Sequence, residues 1–165
     1  MAKKSGRGPA DGGAKPQGIK IIAQNSKASF LYTLSEKFEA GLVLMGSEVK
    51  SLRDGKANLS DSYVDTRRGE LHLLNAHISP YPAANRFNHE PLRPRKLLLN
   101  LHEIEKIRTR MRERGFTVVP TKMYFKNGRA KCEIALAKGK KLHDKRESIR
   151  RKEQDRVISR TLRHR

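Results

Sequence analysis

Two apolar-rich runs meeting at Asn127-Gly128 constrain this chain more than any other feature. Asn-Gly supplies the two positive-φ residues of a type I′ turn, whose twist matches that of the antiparallel strands it joins. Residues 116–125 and 129–137 are therefore expected to form a long hairpin. In its second strand Ala130, Cys132, Ile134 and Leu136 alternate with Lys131, Glu133, Ala135 and Ala137. That period of two gives one face to a core and the other to solvent or a ligand.

The rest of the pattern supplies partners for this hairpin. Residues 19–24 and 28–34 read as two strands around an Asn25-Ser26-Lys27 turn, and Ala40–Met45 reads as another. Ser47 is placed to cap a short helix with Glu48 in its first turn, Val49 and Leu52 inward, and Gly55 at its end. Residues 59–66 and 71–78 read as strands around Arg68-Gly69. The stretch 79–95 holds four prolines and no periodicity, and a loop of that length is usually functional or mobile. Asn100 and Glu103 form a capping-box pattern for a helix with Leu101, Ile104, Ile107 or Arg108, and Met111 on one face. Lys106, Arg110 and Arg114 lie opposite, and Gly115 stops the helix. Six or seven short strands with two helices predict a mainly β fold with flanking helices, a small antiparallel barrel. The expected division is a disordered basic arm at 1–18, a barrel at 19–137 and a basic tail at 138–165.

Charge narrows the function. The net charge is +20, and residues 138–165 carry twelve Lys/Arg against four Asp/Glu. The tail's sizeable apolar residues are Leu142, Ile149, Val157, Ile158 and Leu162, too few to offset the entropy of ordering it alone. It is nevertheless rich in helix formers, which points to a segment that an anionic partner orders. Such charge predicts salt-sensitive attraction to polyanions, with nucleic acid ahead of an anionic membrane surface. There is no broad amphipathic apolar face, lipidation motif, membrane-spanning run or secretory segment. The single cysteine, Cys132, excludes an internal disulfide framework and fits a reducing cytosol.

Catalytic signatures are sparse. Phosphate-binding glycine loops and the GxSxG nucleophile motif are absent. His72 and His77 fall on opposite faces of a regular strand, and with one Cys and no close His/Cys cluster a zinc site is poorly supported; no cofactor is expected. Asp61, Asp65 and Glu70 suggest a metal-dependent nuclease only weakly, because they read as turn and strand-edge residues. RNA binding is better supported. Basic residues stand near aromatics at Lys27, Phe30 and Tyr32, again at Tyr81, Arg86, Phe87, His89, Arg93, Arg95 and Lys96, and at Tyr124, Phe125 and Lys126. Rings stack on unpaired bases while cations hold phosphates. Of Tyr124 and Phe125, in successive strand positions, one is expected to face the core.

The runs FEAGL, GSEVKSLRDGKANLSDSYV, HISPY, RPRKLLL and VVPTKMYFKNGRAKCEIALAKGKKLHDKR occur in this order from about Ile21 to Arg146. Together they resemble small protein B, the family of tmRNA-binding (SsrA-binding) proteins of bacterial trans-translation. The resemblance thins beyond about Ile149. It implies an oligonucleotide/oligosaccharide-binding-like (OB-like) barrel that binds the tRNA-like domain of tmRNA and performs no covalent chemistry. It further implies a cytoplasmic protein that enters the A site of stalled ribosomes, its tail becoming helical in the empty mRNA channel and decoding region. Elongation factor Tu and alanyl-tRNA synthetase would be indirect partners, through alanylated tmRNA. Carried over by position, the tmRNA contacts fall on Asn25, Tyr32, Glu39, Leu98 and Lys131. Glu39 would accept from base or ribose donors, or hold a neighbouring cation in place. The decoding-region segment falls on Gly139, Lys140, Lys141, His143, Asp144, Lys145 and Arg146, with His143 stacking on a base, the cations on phosphates and Asp144 as a helix cap. Ser26 departs from a position the family often fills with a base, and Phe30 and Leu31 from positions usually polar. A structural ribosomal protein is the rival reading, distinguished by permanent association with every ribosome.

Overall fold

The computed structural model describes residues 18–141, 149–150 and 153–154. Its elements run β1 (Lys20–Gln24), α1 (Ser26–Leu31), β2 (Tyr32–Leu42), α2 (Gly46–Arg53), β3 (Ala57–Asn58), β4 (Tyr63–Arg67), β5 (Glu70–Leu74), β6 (His77–Ile78), a 3-10 segment at Pro82–Phe87, β7 (Arg95–Leu98), α3 (Leu101–Arg112), β8 (Phe116–Lys126) and β9 (Arg129–Gly139).

The hairpin expected at Asn127-Gly128 is the spine of the fold. Both turn residues have positive φ, 51° and 75°. β8 and β9 then pair from Lys126 opposite Arg129 to Phe116 opposite Lys138. Strand order β8-β4-β5-β7-β2-β9 closes through the β8–β9 pairing, and β1 adds to the outside of β8. All pairings are antiparallel. The expected antiparallel barrel is therefore the observed fold. Closure needs long strands to coil, and register shifts supply this between Pro120 and Lys122 and between Leu34 and Lys37. Pro120, which has no N–H to give to a ladder, stands at one of these irregularities.

Phe38, Ala40, Leu73, Leu97, Val118, Met123, Cys132, Ile134 and Leu136 fill the interior, joined by Leu52 of α2 and Ile107 of α3. A smaller cluster, Ala28, Val119 and Ala137 with Tyr32 and Leu34 against it, lies outside the barrel wall beneath α1. The expectation that Ala135 and Ala137 face solvent or ligand is thus corrected: both are fully buried.

Four further expectations change. Residues 28–31 belong to helix α1, not to a strand, because the Asn25 side chain accepts from the Ala28 N–H at 3.1 Å and starts a helical turn. Ser47 does not cap α2; Met45 does, its N–H donating to Glu48 Oε2 at 2.7 Å, while Ser47 Oγ meets His89 Nδ1 at 3.0 Å. The strand expected at 59–66 begins only at Tyr63, and 71–78 divides into β5 and β6, although Arg68 and Gly69 do form the turn between β4 and β5, with φ of 51° and 83°. In α3 the capping box is present, Glu103 accepting from the Asn100 N–H at 3.0 Å. Leu101 is nonetheless 80% exposed, and Ile104, Ile107 and Met111 carry the contact with the core.

The expected arm lies outside the described residues except for Gly18, and so do His143, Asp144, Lys145 and Arg146. Ile149, Arg150, Glu153 and Gln154 have helical backbone and exposed side chains.

Candidate nucleic-acid interface

Strand register assembles the most distinctive surface. Gly41 on β2 stands opposite Leu98 of β7 on one side and Lys131 of β9 on the other. Paired residues share a face of the sheet, so Leu98 and Lys131 project side by side with glycine between them. A Cβ at Gly41 would meet Leu98 Cβ at 3.2 Å, so the missing side chain leaves room for a recess. The result is a groove of about 390 Å³ lined by Gly41, Leu98, Phe125, Arg129 and Lys131 among others. Leu98 is 50% exposed there, an apolar wall beside two cations.

Glu39 lies two residues before Gly41 and organises the flank of this groove. Tyr124 donates its hydroxyl to Glu39 Oε2 at 2.5 Å. Lys126 Nζ lies 3.0 Å from the same carboxylate, and Lys131 Nζ 3.7 Å. The Tyr124 hydrogen bond, with help from Lys126, holds the Glu39 carboxyl below its ordinary range. Burial, then the Glu39 contact, pushes the Tyr124 hydroxyl up, so it remains a donor. The acid therefore acts as a bracket: it stays ionised and fixes two lysines whose charges would otherwise wander. Of the two adjacent aromatics, Phe125 packs on the core and Tyr124 lies on the outer face beneath Glu39 and Lys122. A second charged set continues the surface, with Glu133 3.2 Å from Lys37 and 3.0 Å from Lys122. Burial pushes Glu133 up, but Thr121, Lys122 and Lys37 outweigh it and leave the carboxyl low.

Asn25 and Tyr32 stand elsewhere, in a groove of about 340 Å³ that also involves Lys27, Asp61 and Tyr63. Asn25 is buried and largely committed: Oδ1 accepts from Ala28, Nδ2 donates to the Pro120 carbonyl at 3.1 Å, and its N–H donates to Thr121. Its evident work is to start α1 and tie it to β8. Tyr32 is half-buried at the end of α1. Gly139 pairs with Tyr32, the Lys140 N–H donates to the Leu31 carbonyl at 3.0 Å, and Lys140 Nζ donates to the Ser29 carbonyl at 2.9 Å. The tail thus leaves the barrel across the end of α1, beside this second groove. Lys141 is exposed. The carried-over body positions therefore separate into two sets, Glu39 with Leu98 and Lys131, and Asn25 with Tyr32.

The Pro-rich stretch is corrected in part. His89 and Arg95 are buried, so they do not present themselves to RNA. Arg95 Nε donates to Glu48 Oε1 at 2.8 Å and Arg93 Nη2 to Glu48 Oε2 at 2.5 Å. His89 Nε2 lies 3.0 Å from the Ile78 carbonyl oxygen. Burial pushes Glu48 up, but Arg93, the Met45 N–H and Arg95 outweigh it and hold the carboxyl below its ordinary range. Lys96 pairs with Glu70 at 2.5 Å. Arg86, Phe87 and Tyr81 remain at the surface or partly so. Asp61 faces Lys27 at 3.6 Å, and among the described residues no three His, Cys, Asp or Glu side chains come together as a metal-holding group. Also among these residues, no helix is long and apolar enough to cross a membrane.

Comparison with known proteins assigns the chain. The family model described as "SmpB protein" matches residues 22–164. This chain belongs to the SmpB family. The match runs past Ile149, where the motif resemblance thins, and so takes in nearly all of the basic tail. The SsrA-binding protein of Geobacter sulfurreducens is 56% identical over 146 residues, covering 88% of this chain and 95% of the relative. That of Geobacillus thermodenitrificans is 54% identical over 146 residues, covering 88% and 94%. A solved structure described as "tmRNA-SmpB: a journey to the center of the bacterial ribosome" superposes with a TM-score of 0.64 at 42% identity, covering 78% of this chain and 94% of that one. The SmpB barrel positions its exposed groove by register. Phe125, one of the aromatics singled out beside Lys126, lines it, and the sequence-based reading missed Arg129. The signal for Arg129 was the hairpin itself, since it stands opposite Lys126 beside the turn.

Proposed function

We propose that this chain is a tmRNA-binding factor of trans-translation that acts by binding, with no covalent chemistry of its own. The barrel grips the tRNA-like domain of tmRNA and carries it to the A site of a stalled ribosome. The observation that carries this reading is the row Leu98–Gly41–Lys131 with its Glu39 bracket, in a chain of the SmpB family. An apolar wall beside fixed lysines suits a folded RNA: the wall receives a base or ribose face, and the lysines meet phosphates. Glu39, held ionised, takes a ribose 2′-hydroxyl or a base amino group as its ligand once a phosphate draws Lys131 away.

The tail supplies the second half. Residues 139–146 occupy the vacant decoding region, where Lys140, Lys141, Lys145 and Arg146 meet phosphates, His143 stacks, and Asp144 caps a helix that continues into the mRNA channel. Rescue then leads to tagging of the nascent peptide for degradation. Elongation factor Tu and alanyl-tRNA synthetase meet the chain only through alanylated tmRNA, in the cytoplasm. The deciding experiment is recovery of cellular RNA bound to the protein at moderate salt. One enriched RNA with a tRNA-like fold is expected. Recovery of bulk ribosomal RNA alone, equally from stalled and active ribosomes, overturns the reading in favour of a structural ribosomal protein.

A further inference from the structure

The loop Tyr81–Asn88 lines neither groove described above, yet it is built to hold an aromatic ring out in water. Phe87 is 78% exposed. The loop that carries it is closed on itself: the Tyr81 N–H donates to Asn88 Oδ1 at 2.9 Å, and Asn88 Nδ2 donates back to the Tyr81 carbonyl at 2.7 Å. Its far side is pinned by buried His89 and by the Arg93–Glu48 pair. The ring is therefore displayed by a hydrogen-bonded frame. Within it Asn85 adopts φ 46°, ψ −125°, a conformation an asparagine holds only when its surroundings impose it.

Both rings of the loop are met by cations. The Arg86 guanidinium lies 5.1 Å from the Phe87 centroid, and Lys50 Nζ 5.4 Å from that of Tyr81. Neither cation has a carboxylate partner among the described residues. By contrast, Arg93 and Arg95 both pair with the Glu48 carboxylate. An uncompensated cation at the open Phe87 ring and a second at the Tyr81 ring, where the loop closes, suit a stacked base with its flanking phosphates; a protein partner would need an apolar pocket and acids opposite.

We propose that this loop is a second RNA contact, in which an unpaired base of ribosomal RNA stacks on the open face of Phe87 while Arg86 and Lys50 meet its phosphates. Ribosomal RNA is the chosen occupant because the carried-over tmRNA positions belong to the other two grooves; to that extent the inference rests on the proposed function.

The chain contains no tryptophan, so Phe87→Trp in the full-length protein creates a single fluorophore at the loop. It is titrated with small ribosomal subunits, with protein-free small-subunit RNA, and with a tRNA-like RNA. Quenching by the first two and none by the third is the expected result. Phe87→Ala should weaken subunit binding between about fivefold and about 150-fold, the range set by loss of one base stack. Arg86→Gln should lower the salt dependence of that binding. The inference is overturned if subunits do not quench, if subunits quench but protein-free RNA does not (a protein partner), or if the tRNA-like RNA quenches as strongly. Failure of the tRNA-like RNA to bind at all overturns the proposed function instead, and the subunit titration still decides the loop.

Discussion

Glu48→Gln tests whether the Pro-rich stretch is held as the structure implies. The wild-type carboxylate is fully buried and accepts from Met45 N at 2.7 Å, Arg93 Nε at 2.9 Å, Arg93 Nη2 at 2.5 Å and Arg95 Nε at 2.8 Å. The other donors of Arg95, itself fully buried, go to the carbonyls of Ala76, Arg93 and Pro91. Glutamine keeps the shape but removes the charge, leaving a buried guanidinium with no counter-ion. Breaking such a pair from one side costs about 3–5 kcal/mol. In a domain of this size that lowers the melting temperature on the order of 10–20 °C. Urea denaturation and thermal melts read both numbers. Glu113→Gln is the control, because Glu113 meets Arg110 at 3.1 Å on the exposed face of α3 and its loss costs under about 1 kcal/mol. If Glu48→Gln unfolds within about 1 kcal/mol of wild type, the claim that this ion cluster holds the loop is refuted.

Four other outcomes follow from the same geometry. Glu48 titrates below its ordinary range, so its contribution to stability is present above that range and fades as pH falls through the lowered pKa; melts across acid pH should show this limb in wild type and lack it in Glu48→Gln. Tyr124→Phe removes the main cause of Glu39's lowered pKa and should move that carboxyl up toward its ordinary value in a carbon-13 NMR titration; an unmoved titration contradicts the bracket. Lys131→Gln should weaken binding to a tRNA-like RNA and reduce the salt slope by roughly 0.7–0.9, with no change in melting; an unchanged slope means Lys131 touches no phosphate. Leu136→Ala, deep in the barrel, should cost about 2–5 kcal/mol, measured by urea denaturation, and a loss under about 1 kcal/mol would place it outside the core.

Local signals were legible wherever backbone chemistry forces one answer. Asn127-Gly128, Arg68-Gly69 and the Asn100/Glu103 box all sit where the residues said, because positive φ and helix capping depend on a few neighbours. The barrel class followed from these turns. Helix α1 was illegible because SKASFL has the apolar and aromatic content of a strand, and its six residues are held from outside by Asn25 and Lys140. Burial of Ala137 followed from the same helix, which covers a face that alternation assigns to solvent. The fate of the arginines was illegible for another reason: Glu48 meets Arg93 and Arg95 across 45 and 47 residues, and no local pattern separates a cation awaiting phosphate from one buried on a carboxylate. Of the surface, Lys131 was legible as the outward residue of its strand. Leu98 came only through the family resemblance and Gly41 not at all, because only the register of β7, β2 and β9 brings them beside Lys131.

The proposed function divides the chain between a barrel that grips RNA and a tail that works inside the ribosome, and one truncation tests that division. Ending the chain after Lys141 preserves the Lys140 contacts with Ser29 and Leu31, so the barrel and α1 stay intact. Affinity for a tRNA-like RNA and rescue of stalled ribosomes are then measured on the same preparation. Near wild-type affinity with rescue abolished is the predicted result; loss of RNA affinity, or rescue that persists without residues 142–165, contradicts the account.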